Sequence, residues 1–413
     1  MSAIASATSD FVTWGNIDFT QIEYRVKKLQ MRIEKAYRDN DIRKVSYLQN
    51  KLIHSFYAKA LAVKTVTSNK GNHTPGIDGV TWTKPEDKLQ AVFELNRRGY
   101  NPKPLRRIYI PKTDDKLRPL SIPTMKDRAM QTLYKFALDP IAEATADSCS
   151  YGFRPNRGVQ DAISKYLEIL SKEPDMKWVL KADIKSCFDS IDHDWLLKNI
   201  PMDKAILRKF LKCGYVENSI LYPTERGVPQ GGSISSVMCN MTLDGLELTL
   251  KEHFGDLVRI IRYADDFIIL GYSSSFLAAT VKSPGVENFL SERGLELSEE
   301  KTRIINIDDG FTFLGWDIRR EDSLIITKPT EKAVESLLNK IENALLKYDL
   351  CFDNGLQEAL KFIIEGWLCN YYGLSMTQAL REVKDKAISR VINCTGDYLS
   401  RVYVEEIFAR FDI

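Results

Sequence analysis

The sequence predicts a mixed α/β protein: an α+β centre flanked by helical ends. Three observations carry this reading. Residues 19–66 place apolar side chains at helical spacing with no Gly or Pro. The centre holds short β-forming runs, KWVLKAD, LVRIIRYADDFIIL and residues 302–318, interleaved with helical patterns. From Lys328 onward the apolar spacing is helical again.

Taken in order, the 19–66 segment carries Lys and Arg on its polar faces. SNKGNHTPGIDGVTW follows, where Gly71, Pro75, Gly76 and Gly79 end helix and predict a loop. RRIYIP at 106–111 reads as a strand leading to a basic loop. Residues 126–145 and 157–171 read as helices, Trp178 to Asp183 as a strand, and 241–254 as a further helix. Residues 257–271 and 302–318 are hairpin-like. The tail offers three helical stretches, TEKAVESLLNKIENALLKY, LQEALKFIIEGWLCNYYGL and MTQALREVKDKAISRVINCTGDYLSRV. There is no internal repeat or low-complexity tract.

At 413 residues, 44% apolar and 28% charged, the chain has room for two or three ordinary globular domains. No apolar run reaches the ~18–20 residues that cross a bilayer, so no membrane partner is expected. MSAIASATSDFVTW lacks a basic segment followed by an apolar core, so no secretion signal is expected. Seven cysteines, none in a C-x-x-C pair, and four histidines argue against a zinc site and for the cytoplasm. The net charge of +2 hides an asymmetry: residues 1–130 carry 24 Lys/Arg against 13 Asp/Glu, the remainder 34 against 43. A basic N-terminal third fits a polyanion partner, and equally a solvated helical surface.

The chemical signal lies in RYADDFIIL, residues 262–270, where two adjacent carboxylates interrupt a β-forming apolar run. Burying an unpaired carboxylate costs several kcal/mol. An exposed hairpin turn, neutralisation by arginines and a divalent-metal site each account for the pair. A second acid, Asp183, closes the apolar strand KWVL, with Asp189 and Asp192 after it. A strand ending in Asp beside a hairpin whose turn carries Asp-Asp would gather carboxylates at one sheet edge. That is a ligand set for Mg²⁺, which takes hard oxygen donors and keeps waters. Two such ions can activate a 3′-hydroxyl and stabilise a leaving pyrophosphate.

YADD with an upstream D-x-x-x-x-F resembles the palm of a reverse transcriptase. The flanking blocks resemble those of the bacterial group II intron type: TPGIDGVTW, IPKTDDKLRPLSIPTMKDRAMQ, SYGFRPNRGVQDAI, DIKSCFDSID, GVPQGGSISS, LELSEEKT and FLGWDI. The resemblance implies a right-hand polymerase with a helical N-terminal extension at 1–64, fingers at 65–175, palm at 176–325 and a helical thumb at 326–413. It implies RNA-directed DNA synthesis with two Mg²⁺ ions (Mn²⁺ as a substitute), an RNA template, dNTPs and a DNA product.

Residue roles follow by the same resemblance. Asp183, Asp265 and Asp266 are the metal ligands, the last as a ligand or a support. Phe188 sits beneath the incoming sugar and excludes a 2′-hydroxyl; the alternative is a core Phe. Gln230 of GVPQGG contacts the nucleotide sugar and the template–primer, with Gly231 and Gly232 permitting close approach. Lys112 and Arg118 clamp the triphosphate, or are solvated surface charges. Lys301 lies near the leaving pyrophosphate as a general acid, or pairs with Glu299 or Glu300. Arg154 of YGFRP contacts template, and FLGWDI supports the primer end.

Three roles compete. The first is a stand-alone bacterial enzyme copying a dedicated noncoding RNA in antiphage defence. The second is a compact group II intron maturase that assists splicing of intron RNA. The third is an RNA-dependent RNA polymerase, against which Phe188 argues. Residues 326–413 carry 11 Lys/Arg against 13 Asp/Glu, and no His follows His253, so neither a basic DNA-binding tail nor a His/Asn nuclease is expected.

Overall fold

Helix caps divide the N-terminal region. In the computed structural model, which describes residues 13–111, 117–322, 324–348, 353–395 and 398–413, the 19–66 segment is three helices, Phe19–Arg38, Ile42–His54 and Phe56–Ser68. Each opens on a side-chain cap: Asp18 accepts from Gln21 N, Asp41 from Lys44 N and Ser55 from Ala58 N. Asn40, left-handed at φ 55°, turns the chain after the first. The capping side chains satisfy backbone donors that a continuing helix would have bonded, so the breaks need neither Gly nor Pro.

The chain folds into two compact units. The first comprises residues 1–148, 184–249 and 284–298. In it the three helices surround Met125–Thr145, whose Ala129, Met130, Leu133, Leu138 and Ile141 are buried. Beside them lies a four-stranded sheet in the order Leu117–Ile122, Leu105–Pro111, Tyr215–Glu217, Ile220–Tyr222. The expected helix at 241–254 is two, Ser235–Leu243 and Leu246–Phe254. Gly245 (φ 96°) breaks it, and Asp147, almost a hundred residues away in sequence, accepts from the Gly245 and Glu247 amides.

The second unit comprises residues 149–183, 250–283 and 299–413. Its central sheet is antiparallel, ordered Val258–Tyr263, Asp266–Gly271, Trp178–Asp183, Arg303–Asn306. Val179, Ile261, Ile268 and Leu270 join one apolar core with helix Val159–Lys172 and the C-terminal helices. The expected hairpin at 302–318 divides between two sheets. Arg303–Asn306 pairs with Trp178–Lys181, whereas Phe311–Phe313 pairs with Trp316–Ile318 and Leu324–Pro329 completes a separate three-stranded sheet. Lys328, expected to begin the helical tail, lies in that last strand. Among the described residues the tail itself forms four helices, Glu331–Lys347, Asn354–Tyr371, Thr377–Thr395 and Tyr398–Ala409. No helix is long and apolar enough to cross a membrane among the described residues.

Candidate active site

The acidic edge is a product of strand register. Residues 178–183 pair antiparallel with 266–271 so that Asp183 stands directly opposite Asp266. Tyr263 also pairs with Asp266, which leaves Ala264 and Asp265 as a two-residue hairpin turn. Such tight turns demand a positive φ, and Ala264 supplies it at 59° despite its Cβ. A non-glycine residue held there stores on the order of 1–3 kcal/mol and persists only where its surroundings impose it.

Those surroundings are visible. Arg262 is fully buried, and its Nη1 reaches the Ala264 carbonyl at 3.4 Å. Its backbone joins the YGFRP segment, donating to Cys149 O and accepting from Tyr151 N, both at 2.9 Å. Gly152 lies so close that a Cβ there would stand 2.5 Å from Ala264 N. The glycine of YGF is therefore a contact requirement of the acidic turn.

Phe267 to Leu270 are buried, while Asp183, Asp265 and Asp266 are half-buried at the strand ends. Lys301 Nζ lies 2.5 Å from an Asp183 carboxylate oxygen, so a lysine partly neutralises that group. Desolvation pushes the Asp266 carboxyl up to about 6; Lys181 opposes this, and the charges of Asp183 and Asp265 add to it. Such a carboxylate gains from a bound cation, because the same terms that disfavour its charge are relieved by one. Among the described residues no three His, Cys, Asp or Glu side chains are grouped so as to hold a metal ion by themselves, so any ion here would need donors from water or substrate as well. The donors are hard oxygens on an open edge, and that chemistry fits a divalent ion that keeps several waters.

The PQGG loop belongs to the first unit. Phe188, half-buried in the short helix Cys187–Ser190, accepts from Val228 N through its carbonyl at 2.6 Å. Gln230 accepts from Arg118 Nε at 3.0 Å and donates to an Asp189 carboxylate oxygen at 2.8 Å. Arg118 is thus joined to Gln230, a contact the separate motifs do not reveal. Lys112 lies outside the described residues. In the second unit, Arg154 is only 9% exposed and its Nη1 donates to Ser150 O at 2.7 Å, so little of its guanidinium meets solvent. The FLGWDI block places the fully buried Trp316 ring 4.8 Å from that of Tyr371.

Sequence reasoning named Asp189 in the acidic cluster without giving it a role, and passed over Arg262 and Gly152. Asp189 had a visible signal, an acid next to Phe188 in DIKSCFDSID. Arg262 had none, since an Arg inside an apolar strand declares no partner.

The chain is similar to known proteins over much of its length. A family model described as reverse transcriptase (RNA-dependent DNA polymerase) matches residues 110–318. Another, the N-terminal domain of reverse transcriptase, matches residues 14–95. Protein YkfC of Escherichia coli (strain K12) is 32% identical over 326 residues, 66% of this chain and 85% of that protein. The group II intron-encoded protein LtrA of Lactococcus lactis subsp. cremoris is 30% identical over 352 residues, 68% of this chain but only 58% of LtrA. Maturase-like protein 1 of Euglena gracilis is 26% identical over 327 residues, covering 76% of this chain and 68% of that protein.

Proposed function

Because the chain belongs to the reverse transcriptase family, RNA-directed DNA polymerases of right-hand fold that use divalent metal ions, we propose that it extends a primer 3′-end with dNTPs on an RNA template through Asp183, Asp265 and Asp266. The carrying observation is the register that sets Asp183 opposite Asp266 beside the strained Ala264–Asp265 turn. Two Mg²⁺ ions, with Mn²⁺ as a substitute, would supply charge stabilisation at the reacting phosphate oxygens.

The protein's own groups do the rest of the work. Asp183 and Asp265 hold the metal, and Asp266 ligates or supports it. Lys301 keeps Asp183 partly neutralised before metal arrives and protonates the departing pyrophosphate. Phe188, half-buried and so not a sealed core residue, excludes the 2′-hydroxyl. Lys112 and Arg118 hold the triphosphate and Gln230 the sugar, while any template contact of Arg154 is limited to the small part of its guanidinium that meets solvent. Cysteines that form no C-x-x-C pair fit the cytoplasm.

The RNA copied is, on this reading, a dedicated noncoding RNA, with antiphage defence as the setting. The C-terminal region supports it, because its slight acidic excess suits duplex DNA poorly. A second reading, assistance to splicing of an intron RNA, is favoured by the likeness to LtrA. Sequencing the RNA that copurifies with the protein, alongside primer extension on it, tests both. The first reading expects one discrete noncoding RNA that serves as template. Intron RNA that is bound but not copied would overturn it in favour of the second, and absence of any RNA-templated dNTP incorporation would overturn the polymerase reading.

A further inference from the structure

The PQGG loop is fixed from two sides inside the first unit. Ser121 N donates to Gln230 O at 2.8 Å, and Gly227 N donates to Ile191 O at 2.7 Å. Gly227 adopts φ 77°, and a Cβ on it would lie 2.6 Å from the Asp189 backbone, so loop and turn touch. With the backbone held, the neighbours of the Gln230 side chain decide which end of its amide points where. Rotating an amide by half a turn exchanges donor and acceptor.

Both neighbours discriminate between those states. Arg118 can only donate, so it requires the amide oxygen, 3.0 Å from its Nε. Ionised Asp189 can only accept, so it requires the amide nitrogen, 2.8 Å away. We infer that Asp189 is a positioning residue: it locks the Gln230 amide in one orientation, and through it the Arg118 guanidinium, in readiness for the incoming nucleotide. With Nε committed to Gln230, Arg118 has its two terminal amino groups left for phosphate oxygens. Without Asp189 only Arg118 would hold the amide, from one side, and it would turn out of line more readily. Burial raises the Asp189 carboxyl above its ordinary value; the charge of Arg107, whose guanidinium stacks 3.9 Å over the Tyr215 ring, the Gln230 hydrogen bond and the charge of Arg118 oppose that rise.

This rests on the proposed nucleotide role of Gln230 and is tested separately from it. The measurement is dTTP incorporation on poly(rA)·oligo(dT), resolved into KM and kcat, with thermal unfolding of each variant. Asp189→Ala is expected to raise KM for dTTP about tenfold, the scale of a charge-assisted hydrogen bond, with kcat within about threefold. Asp189→Asn retains an acceptor oxygen for the Gln230 amide and should restore most of that loss. In a Gln230→Ala background, Asp189→Ala should add nothing further. Should Asp189→Ala not fold, Asp189→Leu, of similar shape and without an acceptor, serves instead. The inference is overturned if Gln230→Ala raises KM while Asp189→Ala leaves it unchanged, or if the two losses simply multiply. If Gln230→Ala itself leaves KM unchanged, the nucleotide role of the loop falls, and this inference with it.

Discussion

Ala264 shows at the residue scale how the acidic turn is made and what holds it. Its left-handed backbone is pressed upon by Gly152, where even one methyl would meet the Ala264 amide at 2.5 Å. Gly152→Ala should therefore displace the turn and cut DNA synthesis by about tenfold or more, a scale reached by a misplacement of about 1 Å. Equal activity would mean the loop moves aside. Phe188→Ala should raise the use of rNTPs relative to dNTPs by about tenfold, because the half-buried ring no longer fills the space of a 2′-hydroxyl. An unchanged ratio in an active variant would make Phe188 a packing residue.

Asp266 has a pH signature whose sign is fixed by its raised pKa. With a folded value of about 6, above the ordinary carboxylate range, the folded chain holds this proton more firmly than the unfolded chain. The contribution to stability is present below the unfolded value and is lost as pH rises through about 6. At pH 8 without metal, ionised Asp266 costs at most about 3 kcal/mol. Asp266→Asn should thus raise Tm relative to the parent at pH 8 and change it little at pH 4. Mg²⁺ should stabilise the parent more than this variant. A Tm difference that ignores pH would refute the assignment.

At the scale of elements, the sheet strands and long helices were legible because their periodicities are local. YADD was legible as a hairpin turn, and Trp178–Asp183 as a strand ending in an acid. What escaped depended on distant partners. The break between Leu243 and Leu246 is capped by Asp147, and no window around residue 245 contains that residue. Arg303–Asn306 found its partner in residues 178–181, so its β signal was right and its supposed hairpin wrong. Lys301 was legible as a cation near the chemistry, but its pairing with Asp183 required the fold. Trp316 belongs to this scale too, since it joins the three-stranded sheet to helix Asn354–Tyr371 through Tyr371. Trp316→Ala should cost about 3–5 kcal/mol in denaturant unfolding. A loss below about 1 kcal/mol would show that this packing is not what ties the helix to the sheet.

For the whole molecule, chain order and compact units differ in kind. The chain passes repeatedly between the two units, so motifs adjacent in sequence fall in different bodies: Asp183 in the second, Phe188 and Asp189 in the first. Charge is distributed as unevenly. Lys27, Lys28, Arg32 and Lys35 lie exposed on helix Phe19–Arg38, opposite buried Ile22, Val26 and Ile33, and none is in an ion pair among the described residues. Reversing these four charges should weaken binding of the copurifying RNA and flatten its salt dependence, by up to roughly one log unit of slope per lost phosphate contact. Primer extension on a short synthetic template should survive. Unaltered RNA affinity at every salt concentration would make the helix a solvated face only.

The central claim is that carboxylates at one sheet edge carry a metal-dependent polymerase. The direct measurement is Mg²⁺-dependent dTTP incorporation on poly(rA)·oligo(dT) by the parent, Asp183→Asn and Asp265→Asn, each checked by circular dichroism and thermal unfolding. The predicted result is loss of at least about a thousandfold in both variants, the scale on which removing a charge-stabilising group acts, with the fold retained. Folded variants that polymerise at the parental rate would contradict it.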